Sequence, residues 1–371
     1  MSDLSDVRAA LLAGGRGERM GRLTDTVCKP MVPYAGCCRL VDFSMANTAR
    51  SGVPELVLMS RHLERELIDH LMRWWDGHDR LRVHLGPYEN LIDRSARGSG
   101  LPPDLTLPAR PAEHGTADAL LTNAEWLFRP GCRDLLILHA DHVYLFDYGP
   151  MVRAHRQTGA DVTIGVQRIE LRFVRLFGMV EVDQDGRVLS LVEKPASPSS
   201  DLIFTAFCLF RADALLRVLG ELSRLPAGAW QHDISRDILP FMIASGYDVR
   251  AFPVTGYWAD IGTVERYLLG HLDLIRTPGA LPLGDVPRTL SGACPELTGP
   301  GTAVSSGPLP VGTEVHRSVL YPGTVLEPGA RVERSVVLPG ARVTAGARLC
   351  DTIALPGELV SGSRSGLADL D

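Results

Sequence analysis

Cations accompany a cluster of glycines in ALLAGGRGERMGRLTDTVCKP, residues 10–30. Gly14, Gly15 and Gly17 follow an apolar run, and Arg16, Arg19 and Lys29 lie beside them. Glycine lets a backbone approach a phosphate chain and aim its N–H groups at it. The spacing is not that of a Walker A loop, and Gly21 comes one residue too late for GxGxxG. Cations at such a loop would neutralise charge building on a leaving pyrophosphate. Two acidic candidates stand far away: Asp141 in ILHADHVY and Asp260 in YWADIGT. Each alone would read as a cap or turn residue. Together at one glycine loop they suit Mg2+, which takes one or two carboxylates and completes its shell with phosphates and water.

Lys29 and Lys194 are the only lysines among 38 basic residues, and proline follows both, in VCKPMV and VEKPAS. The general preference for arginine fits a GC-rich codon background. A position that keeps lysine favours a compact point charge over a planar fork. Contact with a single phosphate oxygen is a shared role that would explain both.

The elements that must position these groups alternate. VRAALLAGG, PELVLMS (54–60), CRDLLILHAD (132–141) and DVTIGVQ (161–167) read as buried strands. ERELIDHLMRWW (64–75) and TADALLTNAEWL (116–127) read as helices between them. This pattern predicts an α/β domain with a Rossmann-like, mixed and mostly parallel sheet, with ligands at the carboxyl ends of its strands. GMVEVDQDGRVLSLVEKP (178–195) predicts a hairpin turning at Asp185-Gly186. HDISRDILPFMIASG (232–246) predicts a further helix, with Asp233 as its N-cap.

Residues 1–276 would form this domain, and 277–310, rich in Pro, Gly and Ser, a linker. From 311 to 371, Val319, Val325, Val337, Val343 and Leu349 fall on a six-residue grid broken by Arg331. Glycines at 323, 329, 340 and 346 keep the same step. That period predicts a short C-terminal parallel β-helix with one hexad per face.

Net charge of −6 and the lack of clustered basic residues argue against a nucleic-acid surface. Seven cysteines without CxxC or zinc spacing suit free thiols in a reducing cytoplasm. The N-terminus reads as neither a signal peptide nor a membrane span.

LLAGGRGERMGRLTDTVCKP, HGTADALLTNAEWL, ILHADHVY, FGMVEVDQDGRVLSLVEKP and YWADIGTVERYLLGHLDL occur in the order found in ADP-glucose pyrophosphorylases. From about residue 7 to 275 the chain resembles that family of sugar-phosphate nucleotidyltransferases. The resemblance implies a left-handed β-helix and in-line attack of a sugar 1-phosphate on the α-phosphorus of a nucleoside triphosphate, releasing pyrophosphate. It implies that Leu12, Ala13, Gly14, Gly15, Gly17, Gly115, Thr116 and Asp118 hold the nucleotide. Arg19, Lys29 and Asp141 would be catalytic, and Asp141 and Asp260 would bind Mg2+. Gly178, Glu193, Lys194, Phe204 and Asp233 would meet the sugar phosphate. Assembly as a dimer or tetramer is also implied.

The chain departs from that pattern in informative places. Thr26 and Val27 stand where a lysine and an arginine help bind the family's activator. Ala112, Glu113 and His114 replace Trp-Tyr-Arg, and Arg110 stands in place of a base-associated glutamine. Glutamine pairs with adenine, whereas arginine matches guanine's two acceptors. Phe204, opening FTAFCLF (204–210), replaces a hydroxyl residue, which suggests a less polar acceptor such as a cyclitol. The expected reaction is therefore nucleotidyl transfer from ATP or GTP to a sugar or cyclitol 1-phosphate, in a secondary-metabolite pathway. A glucose-1-phosphate adenylyltransferase of glycogen synthesis is the alternative within the family. A regulatory paralogue without catalysis would be expected to lack an aspartate or a phosphate cation. An acyltransferase centred on the β-helix would need more coils and a catalytic histidine there, where only His316 stands near the edge.

Overall fold

The computed structural model describes residues 4–60, 62–86, 115–226, 228–276, 281–290, 296–299, 302–304 and 309–370. The N-terminal domain is built on strands β1 (Val7–Leu12), β2 (Glu55–Met59), β3 (Arg82–Leu85), β4 (Asp134–His139), β5 (His142–Tyr144), β6 (Val162–Arg168), β7 (Gly178–Val182), β8 (Val188–Glu193), β9 (Leu202–Arg211), β10 (Val249–Pro253) and β11 (Trp258–Asp260). Nine of them form one sheet along the path β8-β7-β9-β4-β1-β2-β3, with β6 on β9 and β10 on β6. β4, β1, β2 and β3 run parallel, and β9 turns antiparallel to β4 and β6. β1 is buried along its whole length because helices cover both faces, which explains its unbroken apolar run.

β5 and β11 form a separate antiparallel pair outside this sheet. The hairpin of β7 and β8 turns at Gly186, φ 77°. The Asp183 carboxylate closes the turn, accepting from the N–H groups of Asp185 (2.9 Å) and Arg187 (2.8 Å).

Two predicted helices differ in detail. The stretch 116–127 breaks at Asn123 into Thr116–Thr122 and Ala124–Leu127, and the Asn123 side chain donates back to the Ala119 carbonyl at 2.8 Å. Such a local bond offers the backbone an alternative to the helical ladder. The helix after Asp233 begins as a π-turn, Ile234–Ile238, before Leu239–Ala244. Asp233 caps it, accepting from the N–H groups of Ser235 and Arg236.

The C-terminal residues wind into parallel coils. Val319 pairs with Val336 and Val336 with Ile353, so the central coils advance 17 residues. The hexad on every face is corrected accordingly: inward side chains fall at 320, 326 and 332, then 337, 343 and 349, then 354 and 360. One face in three is a residue short. The six-residue grid therefore slips off the interior, leaving Val325 exposed and Arg331 outside, while Val332 points in. Gly323, Gly329, Gly340 and Gly346 all take left-handed φ of 71–81° at the corners, a conformation costly for other residues. Within 277–310, Thr302–Val304 pairs with Val319–Leu320 and extends this sheet.

Val319, Tyr321, Val336, Leu338, Ile353 and Leu355 face outward from the coils and pack on Tyr34, Tyr267, Leu274 and Ile275 of the N-terminal domain. Tyr321 Oη lies 2.7 Å from His271 Nε2. Tyr267 Oη donates to the Pro33 carbonyl, close to Lys29.

Candidate active site

The glycine loop leaves β1 at the carboxyl edge of the sheet. Ala13 N–H donates to the Met59 carbonyl at 2.8 Å, and Ala140 N–H to Leu12 at 3.0 Å, locking the ends of β1, β2 and β4 together. A side chain added at Gly14 or Gly15 would meet nothing within 4 Å, so the backbone there borders open space. Gly17 is different. It takes φ +73°, and a Cβ would sit 3.0 Å from both Lys29 Cβ and Thr24 Cγ2. Its absence lets Lys29 pass beneath the loop.

Lys29 is nearly buried and its Nζ lies 2.6 Å from Asp141 Oδ2. Burial pushes the Asp141 carboxyl up, but Lys29, His142 and His139 outweigh it and hold the group well below the usual carboxylate range. Asp141 is an anion at neutral pH. Its other oxygen, Oδ1, is buried with no hydrogen-bond partner among the described residues. A buried carboxylate oxygen left unpaired is costly unless something positive takes it.

β11 lies antiparallel to β5 with Asp260 opposite His142, and Ile261 N–H donates to the Asp141 carbonyl at 3.3 Å. Asp260 thus lies in the ribbon opposite the residue that follows Asp141. His142 stands between them, its Nδ1 3.6 Å from Asp141 Oδ1 and its Nε2 4.0 Å from Asp260 Oδ1. Its ring stacks on Trp258. Arg266 Nη1 lies 2.5 Å from Asp260 Oδ2. A Cβ built at Gly262 would be 3.3 Å from each Asp260 oxygen and 3.4 Å from an Arg19 Nη, so the glycine leaves room between these two side chains. Arg16 faces elsewhere, lining a cleft of about 450 Å3 with Glu18, Gly21, Arg22, Thr24, Asp25 and His62.

Across the cleft, Glu193 pairs in register with Gly178. A Cβ at Gly178 would lie 3.2 Å from Glu193 Oε2 and 3.5 Å from Phe204 Cβ, so glycine leaves room for the carboxylate above a buried phenyl ring. Lys194 takes φ +50°, anchored by its N–H to the Phe177 carbonyl at 2.9 Å. A non-glycine residue there costs on the order of 1 kcal/mol. The strained backbone leaves the ammonium half exposed, 3.5 Å from Glu193 Oε1.

A third group forms the remaining wall. Gly115 packs against the His232 carbonyl so closely that a Cβ would approach to 2.1 Å. Thr116 Oγ1 accepts from Ile234 N–H and lies 3.2 Å from Asp233 Oδ2. Asp118, fully buried, bonds His232 Nδ1 at 2.7 Å and so ties the loop to the capped helix. Asp233 uses Oδ1 for its cap. Arg110, Ala112, Glu113 and His114 lie outside the described residues.

Three residues escaped the sequence reading. His142 follows Asp141 directly and Arg266 lies one helical turn past the YWADIGT motif; adjacency was the available signal. His139, pushed down to about 4 chiefly by burial and then by His142, also feels Asp141, Asp233 and Asp260. It links the Asp141–Asp260 group to the wall that carries Asp233.

Residues 8–277 match the nucleotidyl transferase family model, and residues 299–356 match a GlmU-like C-terminal hexapeptide model. The chain belongs to the nucleotidyl transferase family. This nucleotidyl transferase carries a short left-handed β-helix of hexapeptide type behind its catalytic domain. It is 47% identical over 329 residues to a valienol-1-phosphate guanylyltransferase of Streptomyces hygroscopicus subsp. limoneus, covering 86% of this chain and 87% of that one. A glucose-1-phosphate adenylyltransferase of Clostridium perfringens is 30% identical over 332 residues, covering 87% and 82%. One of Thermomicrobium roseum is 36% identical over 284 residues, covering 76% of this chain and 63% of its own. Among the described residues of this nucleotidyl transferase, no helix is long and apolar enough to cross a membrane.

Proposed function

We propose that this enzyme transfers a guanylyl group from GTP to a cyclitol 1-phosphate of the valienol type, giving a GDP-cyclitol and pyrophosphate. The observation that carries the reaction type is that Asp260 pairs in register with His142, the neighbour of Asp141, whose carboxylate holds Lys29 under Gly17 of the glycine loop. The acceptor class is supported by Phe204, buried and apolar beside Gly178 and Glu193 where a sugar hydroxyl would need a polar partner. The guanylyltransferase relative at 47% identity supports the same choice of acceptor and base.

The residues present fit a hard divalent ion such as Mg2+. They offer two carboxylates, one with a buried unpaired oxygen, and no cluster of three or more ligating side chains among the described residues. That is the donor set of an ion completed by substrate phosphates and water. Asp141 and Asp260 would hold it, and when bound it would neutralise charge on the transferring phosphoryl group.

The protein's own groups do the rest. The loop at Gly14 and Gly15 leaves backbone space for the triphosphate, with Leu12, Ala13, Gly17, Gly115 and Thr116 shaping the pocket. Asp118 holds that wall in place. Lys29 and Arg19 supply positive charge for the departing pyrophosphate. Lys194 receives the acceptor's phosphate, and Glu193 and Asp233 face its hydroxyls. Nucleophile and phosphorus are thereby held for in-line displacement. Six free thiols among the described residues suit the reducing cytoplasm, and the exposed β-helix faces suit assembly as a homo-oligomer.

The test is a matrix of five nucleoside triphosphates against glucose 1-phosphate and valienol 1-phosphate, scored by pyrophosphate release. GTP with valienol 1-phosphate should give the highest kcat/KM. Preference for ATP with glucose 1-phosphate would reject the acceptor and base assignments while keeping the reaction type. Phe204→Ser should move the acceptor ratio toward glucose 1-phosphate by about tenfold, the scale of one hydroxyl contact.

A further inference from the structure

We propose that Arg266 is a second cation for the acceptor's phosphate, working with Lys194. The inference rests on the assignment of Lys194 to that phosphate. Arg266 opens the helix Val264–Arg276, six residues beyond Asp260. Its guanidinium lies over the Phe177 ring, 5.1 Å from the centroid. Phe177 also holds the Lys194 backbone through its carbonyl. One aromatic residue therefore touches both cations, and the fork bridges the Asp260 carboxylate and the Phe177 ring.

Arg266 is built for more than a pair with Asp260. Nη1 makes that contact, and the other donors of the fork have no partner among the described residues. The side chain remains 24% exposed, so the fork is not sealed off from solvent. Asp260 has other company in His142, whose Nε2 lies 4.0 Å from its Oδ1. A phosphate monoester carries nearly two negative charges and three acceptor oxygens. Lys194 meets it as a single point charge, whereas a planar fork can grip two oxygens at once.

Initial rates are measured with acceptor and triphosphate varied in turn, for wild type, Arg266→Gln, Arg266→Lys, Lys194→Ala and Asp260→Asn. Inorganic phosphate serves as a competitive probe against the acceptor, and Mn2+ affinity is read by electron paramagnetic resonance. Arg266→Gln should raise the acceptor KM about 10- to 100-fold, the range for losing a hydrogen bond to a charged group. Inhibition by inorganic phosphate should weaken in parallel, with triphosphate KM and Mn2+ affinity unchanged. Arg266→Lys should recover part of the loss. An unchanged acceptor KM in Arg266→Gln, with Lys194→Ala raising it, overturns this inference alone. Weaker Mn2+ binding matching that of Asp260→Asn, without a change in acceptor KM, makes Arg266 a brace for Asp260 and overturns it too. If Lys194→Ala also leaves the acceptor KM unchanged, the underlying assignment falls with it.

Discussion

Asp260 stands directly opposite His142 in a two-strand ribbon, and the His142 ring reaches toward both Asp260 and Asp141, although 118 residues separate the two aspartates in the chain. The ribbon lies outside the main sheet. Its register therefore sets where Asp260 lies relative to Asp141.

Asp141→Asn should lower kcat by about 10^3-fold or more, since the change removes a charge that acts at the transferring group. The melting temperature should stay within a few degrees, because the amide keeps the shape. Near-normal pyrophosphate release from this variant would rule out a catalytic carboxylate at 141.

Lys194 offers a sharper separation. Lys194→Gly removes the charge and relaxes a left-handed backbone, so stability should rise by up to about 1 kcal/mol while the acceptor KM climbs steeply. Urea unfolding and steady-state kinetics on one sample read both. A variant losing stability and affinity together would show that the lysine is a structural prop.

Burial at the domain boundary pushes His271 down to about 4, with the Tyr267 carbonyl pulling weakly upward. The unfolded chain then takes up the proton first, near pH 6.5. Stability is complete above that value and declines at about 1.4 kcal/mol per pH unit as pH falls toward 4. His139 adds a second, similar loss. His271→Gln should flatten part of the decline in denaturant midpoints between pH 7 and 5; an unaltered slope would contradict the neutral buried state.

The coil of 17 residues predicts opposite fates for two valines on the six-residue grid. Val325→Lys, at an exposed site, should change stability by less than about 0.5 kcal/mol. Val343→Lys puts a charge into the packed interior and should cost about 3 kcal/mol or more, which denaturant titration would detect.

Much of the site was legible because its chemistry depends on short local patterns. Glycines after a strand, lysines before proline and an aspartate at a strand end each leave a signature in a few residues. The β-helix period was legible for the same reason. Its five-residue face was hidden because Val319 and Val325 look alike in sequence yet face a neighbouring domain and solvent. The break at Asn123 and the π-turn after Asp233 depend on side-chain bonds that no periodicity encodes. Arg266 was missed because its meaning comes from Phe177, which lies 89 positions earlier.

The helix Val264–Arg276 touches both halves of the molecule. Arg266 grips the active-site carboxylate near its start, and His271, five residues on, holds the β-helix tyrosine. Along a helix those five residues span about 7.5 Å of stiff rod. One stiff rod thus joins the tyrosine of the C-terminal coils to the carboxylate of Asp260.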